Sequence, residues 1–321
     1  MVTMRTPTSQ DRPAKPSISP ADAIDALGRG SFKTEYLQAL SDLGRSDARS
    51  LAAVWPKIPT EERISVVRQL EQIAENNVEF LFGRVFRIAL ADTSPVVRQI
   101  AISGLWEDER SDLIDSFVAI LAEDESEDVR AAAASALARF ADRAASEDLD
   151  ERAADTVRTA LSNAASQNEK SALVRRRALE SVAVFGDSAS LSEMISNFFD
   201  ADDTADRASA LYAMGRTLDR KWLSTILSEF ESDDAEMRFE AARASGELGH
   251  SDAVPGLSEL IQDGDVEVRQ AAIVSLGKIG GTASTRVLES YLAVCPASDR
   301  ELVDEALQEA RIFNENPRAG M

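Results

Sequence analysis

The chain has few of the residues from which most catalytic and covalent structures are built. It has one cysteine, Cys295, and one histidine, His250, in 321 residues. A single cysteine forms no disulfide within the chain and no thiolate metal cluster, and it fits a reducing compartment. A single histidine excludes every site that needs two imidazoles. No apolar run reaches the roughly 18 residues of a membrane-spanning helix, so we expect no membrane partner.

Positive charge is also scarce. The chain has 35 Lys and Arg against 56 Asp and Glu, a net charge of −21. Residues 1–59 are slightly basic at +2, whereas residues 60–321 carry −23. A surface that binds DNA or RNA needs an excess of positive charge, and the one basic triplet is Arg175–Arg177. We therefore expect no nucleic-acid partner.

The first 19 residues have the composition of a disordered polar tail. Pro7, Pro13 and Pro16 lie among Ser, Thr and basic residues, without the apolar run of a signal peptide. An acid-poor start with arginine also suits a transit peptide, but the prolines oppose the amphipathic helix that such a peptide needs. The sequence predicts a cytoplasmic protein with a tail over residues 1–19 and an N-terminal helical cap over residues 20–59.

One sequence motif recurs along the rest of the chain. It consists of an arginine with apolar or small residues at fixed distances from it. These residues occupy positions −1, +3, +4 and +7 relative to the arginine, which is one side of an α-helix. A shorter apolar-periodic segment lies between successive copies, so each copy predicts two packed helices. No alternating strand pattern is present. The arginines are separated by 32, 45, 32, 31 and 31 residues, and they are Arg98, Arg130, Arg175, Arg207, Arg238 and Arg269.

The motif resembles the repeat of the HEAT-repeat family, in its short variety, which is similar to phycobilisome (PBS) lyases. The resemblance is closest between Asp263 and Gly280. The resemblance implies an all-α fold, a right-handed α-solenoid of about eight stacked antiparallel helix pairs over residues 60–321. It also implies a hydrogen-bonded ladder between the repeated arginines and acids at Asp92, Asp124 and Asp263. Ala201 and Ser232 occupy the acid's place in two copies, and Asp202 and Asp233 follow one residue later, so the ladder there is in doubt or shifted.

The one irregular spacing, the 45 residues between Arg130 and Arg175, contains an insertion of about 13 residues within residues 141–170. An insertion in a solenoid lies in a loop between helices or lengthens a helix, and it sometimes carries the function. The simpler alternative is a helix over residues 149–163 that only packs along the array.

Tests for catalytic chemistry fail on ligand count. Deoxyhypusine hydroxylases are built from similar repeats but need paired His-Glu motifs for a di-iron centre, and His250 stands alone in this chain, at a turn where we expect it to be exposed. An EF-hand reading from Asp263 fails because its twelfth residue is Val274. The sequence therefore predicts no catalytic, cofactor or metal-binding residues and a chain that is not an enzyme.

The predicted function is a scaffold that binds a protein or peptide on the concave face of the solenoid. Positions +1, +5, +8 and +9 of the arginine-bearing helix face away from the buried stripe, and aromatic and Arg side chains gather there. Such residues dominate binding hot spots, although the rings also suit packing against neighbouring helices. Bilin attachment, as in lyases of the family, is the alternative function. The partner and the oligomeric state are left open, and the candidate residues are Trp106, Arg176, Tyr212, Arg216, Phe239 and Arg243.

Overall fold

The computed structural model describes residues 18–31, 33–186 and 188–315, with side chains up to residue 312. The predicted tail therefore lies almost wholly outside the described residues. These residues hold α-helices and short 3-10 segments and no strand, which confirms the predicted all-α class. The chain divides into two compact units, Met1–Glu109 and Arg110–Met321.

The first unit has five α-helices, in which α2 stacks on α4 and α3 stacks on α5. Two 3-10 segments, Thr34–Leu40 and Trp55–Lys57, connect its helices. The helices are α1 (Pro20–Gly28), α2 (Arg45–Val54), α3 (Thr60–Asn76), α4 (Gly83–Ala89) and α5 (Pro95–Ser103).

The second unit consists of six consecutive helix pairs, each packed on the next, as a solenoid requires. The first helices are α6 (Asp112–Glu123), α8 (Glu151–Ala165), α10 (Ala189–Phe199), α12 (Leu223–Ser228), α14 (Val254–Leu260) and α16 (Gly281–Leu292). The second helices are α7 (Glu127–Ala145), α9 (Ala172–Val182), α11 (Thr204–Arg216), α13 (Ala235–Leu248), α15 (Val266–Ile279) and α17 (Arg300–Glu315).

Aspartates begin three successive second helices at the same point of the repeat. The carboxylates of Asp203, Asp234 and Asp265 each accept a hydrogen bond from a backbone N–H in the first turn. A negative charge there also matches the positive end of the helix dipole. Acids at the turns thus account for part of the chain's negative charge.

Small residues let the second helices approach one another closely. The alanine three positions after each repeated arginine is completely buried in every copy. Glycines recur at position +8, where a Cβ on Gly215 would come within 2.7 Å of the Ala244 backbone. A Cβ on Gly246 would lie 2.5 Å from Ser275, and one on Gly277 would lie 3.0 Å from Ala306. Position +8 was expected to be exposed, but in these three repeats it is the point of closest packing.

An ion pair between helix α3 and the turn before α5 in the first unit is buried. Arg63 donates from Nε to Asp92 Oδ2 at 2.7 Å and from Nη2 to Oδ1 at 3.0 Å. The Trp55 indole N–H donates to the same Oδ2 at 2.7 Å, and the Ser94 backbone N–H donates to Oδ1. Every acceptor of Asp92 is therefore used, which offsets the cost of burying its charge.

The same arrangement links the repeats of the second unit. Arg238 binds both carboxylate oxygens of Asp263, at 2.7 and 3.0 Å, which confirms the ladder role expected of this pair. Arg269 reaches the fully buried Asp299, which the sequence did not single out, at 3.5 Å. Glu169 takes the acid's place opposite Arg130, at 3.1 Å. Each arginine of these pairs thus ties its own repeat to the next one.

The ladder is altered at the two copies that lack the acid. Arg175 donates from Nη1 to the Glu169 carbonyl, but its buried Nε has no hydrogen-bond partner among the described residues, because Ala201 offers no carboxylate. Arg207 turns to Glu229 instead, at 3.3 Å, where Ser232 replaces the acid. The doubt about these two positions is confirmed.

The extra residues lengthen α7 to 19 residues and α8 to 15, and the N-terminus of α8 is capped by the Asp150 carboxylate. This helix packs against α7 and α9 as the first helix of its repeat, with Val157 and Leu161 fully buried.

No helix in the described part of the chain is both long and apolar enough to cross a membrane.

The close approach at Gly246 makes a stability prediction. We expect Gly246→Ala to lower the free energy of unfolding by about 1–3 kcal/mol, because its Cβ would overlap Ser275 of α15. Urea denaturation measures the change. Gly264→Ala is the matched control and should lie within about 0.5 kcal/mol of wild type, since nothing surrounds that position within 4 Å. Equal effects of the two substitutions would contradict the packing argument.

The gap in the ladder predicts a stabilising substitution. Ala201→Asp restores the acid opposite Arg175, whose buried Nε lacks a partner among the described residues. We expect the free energy of unfolding to rise by about 1 kcal/mol, since a charge-assisted hydrogen bond forms. Ser232→Asp should gain less, because Arg207 already binds Glu229. Thermal denaturation measures the stability of both variants. A loss of stability in Ala201→Asp would refute the expected pairing.

Candidate partner-binding surface

The helices that carry the repeated arginines form one side of the second unit, and we call α7, α9, α11, α13 and α15 the Arg helices. Each Arg helix packs closely on the next, whereas the first helices α8, α10 and α12 contact one another only sparsely. Arg216 on α11 also reaches past α9 to form an ion pair with Asp142 on α7. Contacts between repeats are thus closer on the side of the Arg helices than on the side of the first helices, which indicates that the unit curves toward the Arg helices. We call this side the inner curve of the unit.

Five of the residues predicted to bind a partner lie on α9, α11 and α13, and we call them the aromatic-arginine patch. Four of these five residues are half-buried, and Arg243 is exposed. The patch consists of Arg176, Tyr212, Arg216, Phe239 and Arg243.

The centre of the patch is a cation-π contact between two helices. The guanidinium carbon of Arg243, on α13, lies 4.5 Å from the ring centroid of Tyr212, on α11. The side chain of Arg243 is 45% exposed, and its one ion pair within the described residues is a long contact of 3.6 Å with Glu240. The hydrogen-bond donors of Arg243 are therefore largely available.

The other two arginines of the patch are already paired. Arg176 donates to Asp206 on the neighbouring helix at 2.9 Å and is 19% exposed. Arg216 is held by Asp142. The sequence pattern does not distinguish the three arginines of the patch. The acidic partners of Arg176 and Arg216 lie in other repeats, so only the tertiary structure shows that Arg243 differs from them.

A buried carboxyl group beside the patch was missed at the sequence level. Glu240 lies at position +2, which also faces away from the buried stripe, and its Oε2 is buried without a hydrogen-bond partner in the described structure. Burial raises the pKa of Glu240 to about 7, with Arg243 and Arg177 opposing the shift and Glu180 and Glu236 adding to it. Glu240 is thus partly protonated near neutral pH.

Trp106 does not lie with the patch. Helix α5 ends at Ser103, so Trp106 belongs to the turn that follows and not to the arginine-bearing helix on which it was placed. The chain turns at Gly104, where a side chain would overlap the ring of Phe86. Trp106 is part of the first unit and is 55% exposed. A binding role for it stays a prediction.

The single histidine and cysteine have local roles. His250 lies at a turn as expected, but its side chain is only 17% exposed, and its Nδ1 accepts a hydrogen bond from the Asp252 backbone N–H. The Cys295 thiol lies 3.6 Å from the Leu292 carbonyl. Within the described residues, no group of His, Cys, Asp and Glu is arranged to hold a metal ion.

The repeats and the ladder define a class of protein. A family model of HEAT repeats matches residues 84–168 and 221–308, which is more than half of the chain. The chain therefore belongs to the HEAT-repeat family.

Three individual proteins are similar to the chain. A deoxyhypusine hydroxylase of Drosophila melanogaster is 30% identical over 128 residues, which are 38% of this chain and 42% of the fly enzyme. A solved structure of Kap95p with RanGDP superposes with a TM-score of 0.52 at 13% identity, covering 94% of this chain and 46% of that one. The CpcE–CpcF complex of the phycocyanin lyase from Nostoc sp. PCC7120 has a TM-score of 0.48 at 17% identity, with 72% and 95% covered. The match thus spans less than half the length of the fly enzyme, and the structural likenesses concern the fold alone.

The prediction that the chain is not an enzyme is wrong, because the 30% identity relates it to an enzyme of the same repeat family. A count of histidines excludes one arrangement of ligands for a di-iron centre and does not exclude other enzymes. Relatedness to an enzyme rests on the whole repeat sequence instead.

Burial of Glu240 predicts a pH-dependent stability. The folded-state pKa of about 7 lies above the value of 4.5 for an exposed glutamate, so the unfolded chain loses this proton first as the pH rises. Glu240 therefore lowers stability progressively between about pH 4.5 and pH 7. We expect Glu240→Gln to raise the free energy of unfolding by about 2 kcal/mol at pH 8 and by little at pH 4.5.

Thermal melts at the two pH values measure this difference. Glu259→Gln is the control, because Glu259 is an exposed residue of α14 and is not among the charges that shift the pKa of Glu240. Its effect on stability should be small at both pH values. A Glu240→Gln variant with the same pH profile as wild type would show that the carboxyl ionises normally in the folded protein.

Proposed function

We propose that the aromatic-arginine patch on the inner curve of the second unit binds a protein or peptide partner. The observation that supports the proposal is Arg243, which is 45% exposed, lies against Tyr212 and makes one long ion pair in the part of the chain that the structure describes. Stacking on a ring holds a guanidinium in place and leaves its N–H edges for an acceptor. Arg243 is thus oriented before a partner arrives, which reduces the entropy lost on binding.

The surroundings of Arg243 suit a polypeptide. Tyr212 and the half-buried Phe239 offer apolar ring surface, and Arg243 donates to a main-chain carbonyl or a carboxylate of the partner. Aromatic residues and arginine account for most of the binding energy in protein interfaces. The fixed pairs of Arg176 and Arg216 flank this centre and shape its border.

Use of the HEAT fold for protein binding has a precedent among the structural neighbours. Kap95p is a solved neighbour that binds RanGDP. This likeness supports binding as a use of the fold and says nothing of the partner of this chain.

The test is a double substitution at the centre of the patch. We expect Tyr212→Ala with Arg243→Ala to abolish capture of a partner from native lysate, because both the ring surface and the free guanidinium are lost. Mass spectrometry identifies proteins that wild type retains, and calorimetry with the purified partner should show an affinity loss of about tenfold to a hundredfold.

Arg286→Ala is the control, since Arg286 is an exposed arginine of the first helix α16. This variant should bind the partner like wild type. The melting temperature of the double variant should stay near that of wild type. A large fall in melting temperature would show a structural role for the two residues, and unchanged binding would refute the proposal.

A further inference from the structure

Three large apolar side chains are exposed on two connections of the first unit, and we call Val78, Leu81 and Trp106 the loop patch. They are 72%, 54% and 55% exposed, respectively. Val78 and Leu81 lie in the loop between α3 and α4, and Trp106 lies in the turn after α5. A single exposed apolar residue is ordinary on a protein surface, whereas a group of them marks a site that a partner covers.

The loop and the turn are held side by side against the start of α4. The Asp108 carboxylate accepts a hydrogen bond from Arg87 Nε at 2.9 Å and lies 3.6 Å from the position that a Cβ on Gly83 would occupy. Leu81 precedes Gly83 by two residues, and Trp106 precedes Asp108 by two. The exposed side chains therefore belong to neighbouring segments and are available together to one partner.

The backbone of the loop is fixed although its side chains are exposed. The Leu81 N–H donates to Ser41 Oγ at 3.0 Å, and the Leu81 carbonyl accepts from the Asp42 N–H at 2.8 Å. The rings of Phe80 and Phe82 stack with their centroids 6.1 Å apart, and Phe82 is buried. A surface that is ordered beforehand loses less entropy when a partner binds.

Unpaired negative charge lies beside the loop patch. Glu79 stands between Val78 and Leu81 in the loop, and Glu107 directly follows Trp106. Both glutamates are exposed and form no ion pair among the described residues. A partner that covers the apolar side chains thus comes within reach of two carboxylates.

The basic residues near the patch do not cancel this charge. Both arginines of α4 are engaged with other acids, in the pairs Arg84–Asp42 and Arg87–Asp108. Further along the chain, Glu109 and Arg110 carry opposite charges and offset each other. The carboxylates of Glu79 and Glu107 are therefore in excess.

This charge selects one kind of occupant. A second copy of the chain, bound about a two-fold axis, would bring the patch against itself, so that Glu79 and Glu107 would face the same acids. An anionic membrane surface would also be repelled. A basic segment with an apolar face instead covers the exposed side chains and pairs with the carboxylates.

We propose that the loop patch binds a basic amphipathic segment of a partner protein. The apolar side chains of this segment cover Val78, Leu81 and Trp106, and its lysines or arginines pair with Glu79 and Glu107. The loop patch belongs to the first unit, so the proposal does not depend on a partner at the aromatic-arginine patch.

Tryptophan fluorescence of the full chain tests the proposal, because Trp106 itself reports whether the patch is covered. The probe is a synthetic peptide of about 14 residues with Leu and Lys at helical spacing, at roughly 0.15 M salt to screen distant charges. We expect saturable binding and a shift of Trp106 emission to shorter wavelength as the indole leaves water. Trp106→Phe should lose this shift, since Trp55 is buried and Trp222 lies in the second unit.

Two matched peptides separate apolar contact from charge. One replaces every Leu with Ala, and the other replaces every Lys with Glu. We expect at least about tenfold weaker binding of each, because the first has no large apolar face and the second is repelled by Glu79 and Glu107. The double variant Glu79→Lys with Glu107→Lys should reverse the preference between the Lys and Glu peptides.

Leu81→Ser tests the apolar contact. The side chain of Leu81 is exposed and its hydrogen bonds are made by the backbone, so we expect the fold to be kept and binding of the Leu–Lys peptide to weaken about tenfold. Val294→Ser is the matched control, because Val294 is an exposed apolar residue of the second unit, and it should bind like wild type. Circular dichroism and thermal melts confirm that each variant is folded.

Several outcomes would overturn the proposal. Equal binding by wild type and Leu81→Ser, or an emission shift that persists in Trp106→Phe, would place the peptide elsewhere on this acidic chain. A wild-type dimer in sedimentation that Leu81→Ser disperses would show that a second copy occupies the patch. A shift of Trp106 emission with phosphatidylserine vesicles would show a membrane contact instead.

Discussion

Close packing of the Arg helices is the constraint on which the second unit depends. Two helices approach this closely only where neither carries a side chain larger than alanine or serine at the contact, as at Gly246 and Ser275. The same approach brings an arginine of one repeat within reach of an acid of the next, as at Arg238 and Asp263. The packing and the ladder are therefore two results of one repeat geometry, and a change at the small residues affects both.

The ladder also explains how an acidic chain tolerates its charge. Acids such as Asp92 and Asp263 accept hydrogen bonds from an arginine and from a backbone N–H at the start of the next helix. These contacts hold the pKa of Asp263 below its ordinary value, chiefly through the Arg238 side chain, so it stays ionised in the fold. Arg175, opposite Ala201, shows the consequence where the acid is missing, since a buried donor is left without a partner in the described structure.

The two faces of the second unit offer different chemistry. The inner curve has rings and a free guanidinium at Tyr212 and Arg243, next to a carboxyl group that burial keeps partly protonated. A groove beside α8 is lined by alanines, amides and acidic side chains. One repeat unit produces both surfaces because its buried stripe is constrained by packing, while its outward positions vary freely from copy to copy. One fold can carry different functions, and the proteins similar to this chain include a deoxyhypusine hydroxylase, by sequence, and Kap95p, by fold.

The all-α repeat fold and the paired helices were determined by the sequence, because they follow from a short pattern that recurs every 31 or 32 residues, with one interval of 45. The ladder was implied by the resemblance to the HEAT-repeat family. Helical angles also placed Tyr212 and Arg243 on one face. The tertiary structure alone decided that position +8 is buried at the glycines, that Trp106 lies beyond its helix, and that Arg216 is paired with Asp142. It also revealed the buried carboxyl of Glu240 and the groove beside α8. The physical reason is that these features depend on contacts between different repeats, whereas the spacing within one repeat specifies only its own two helices.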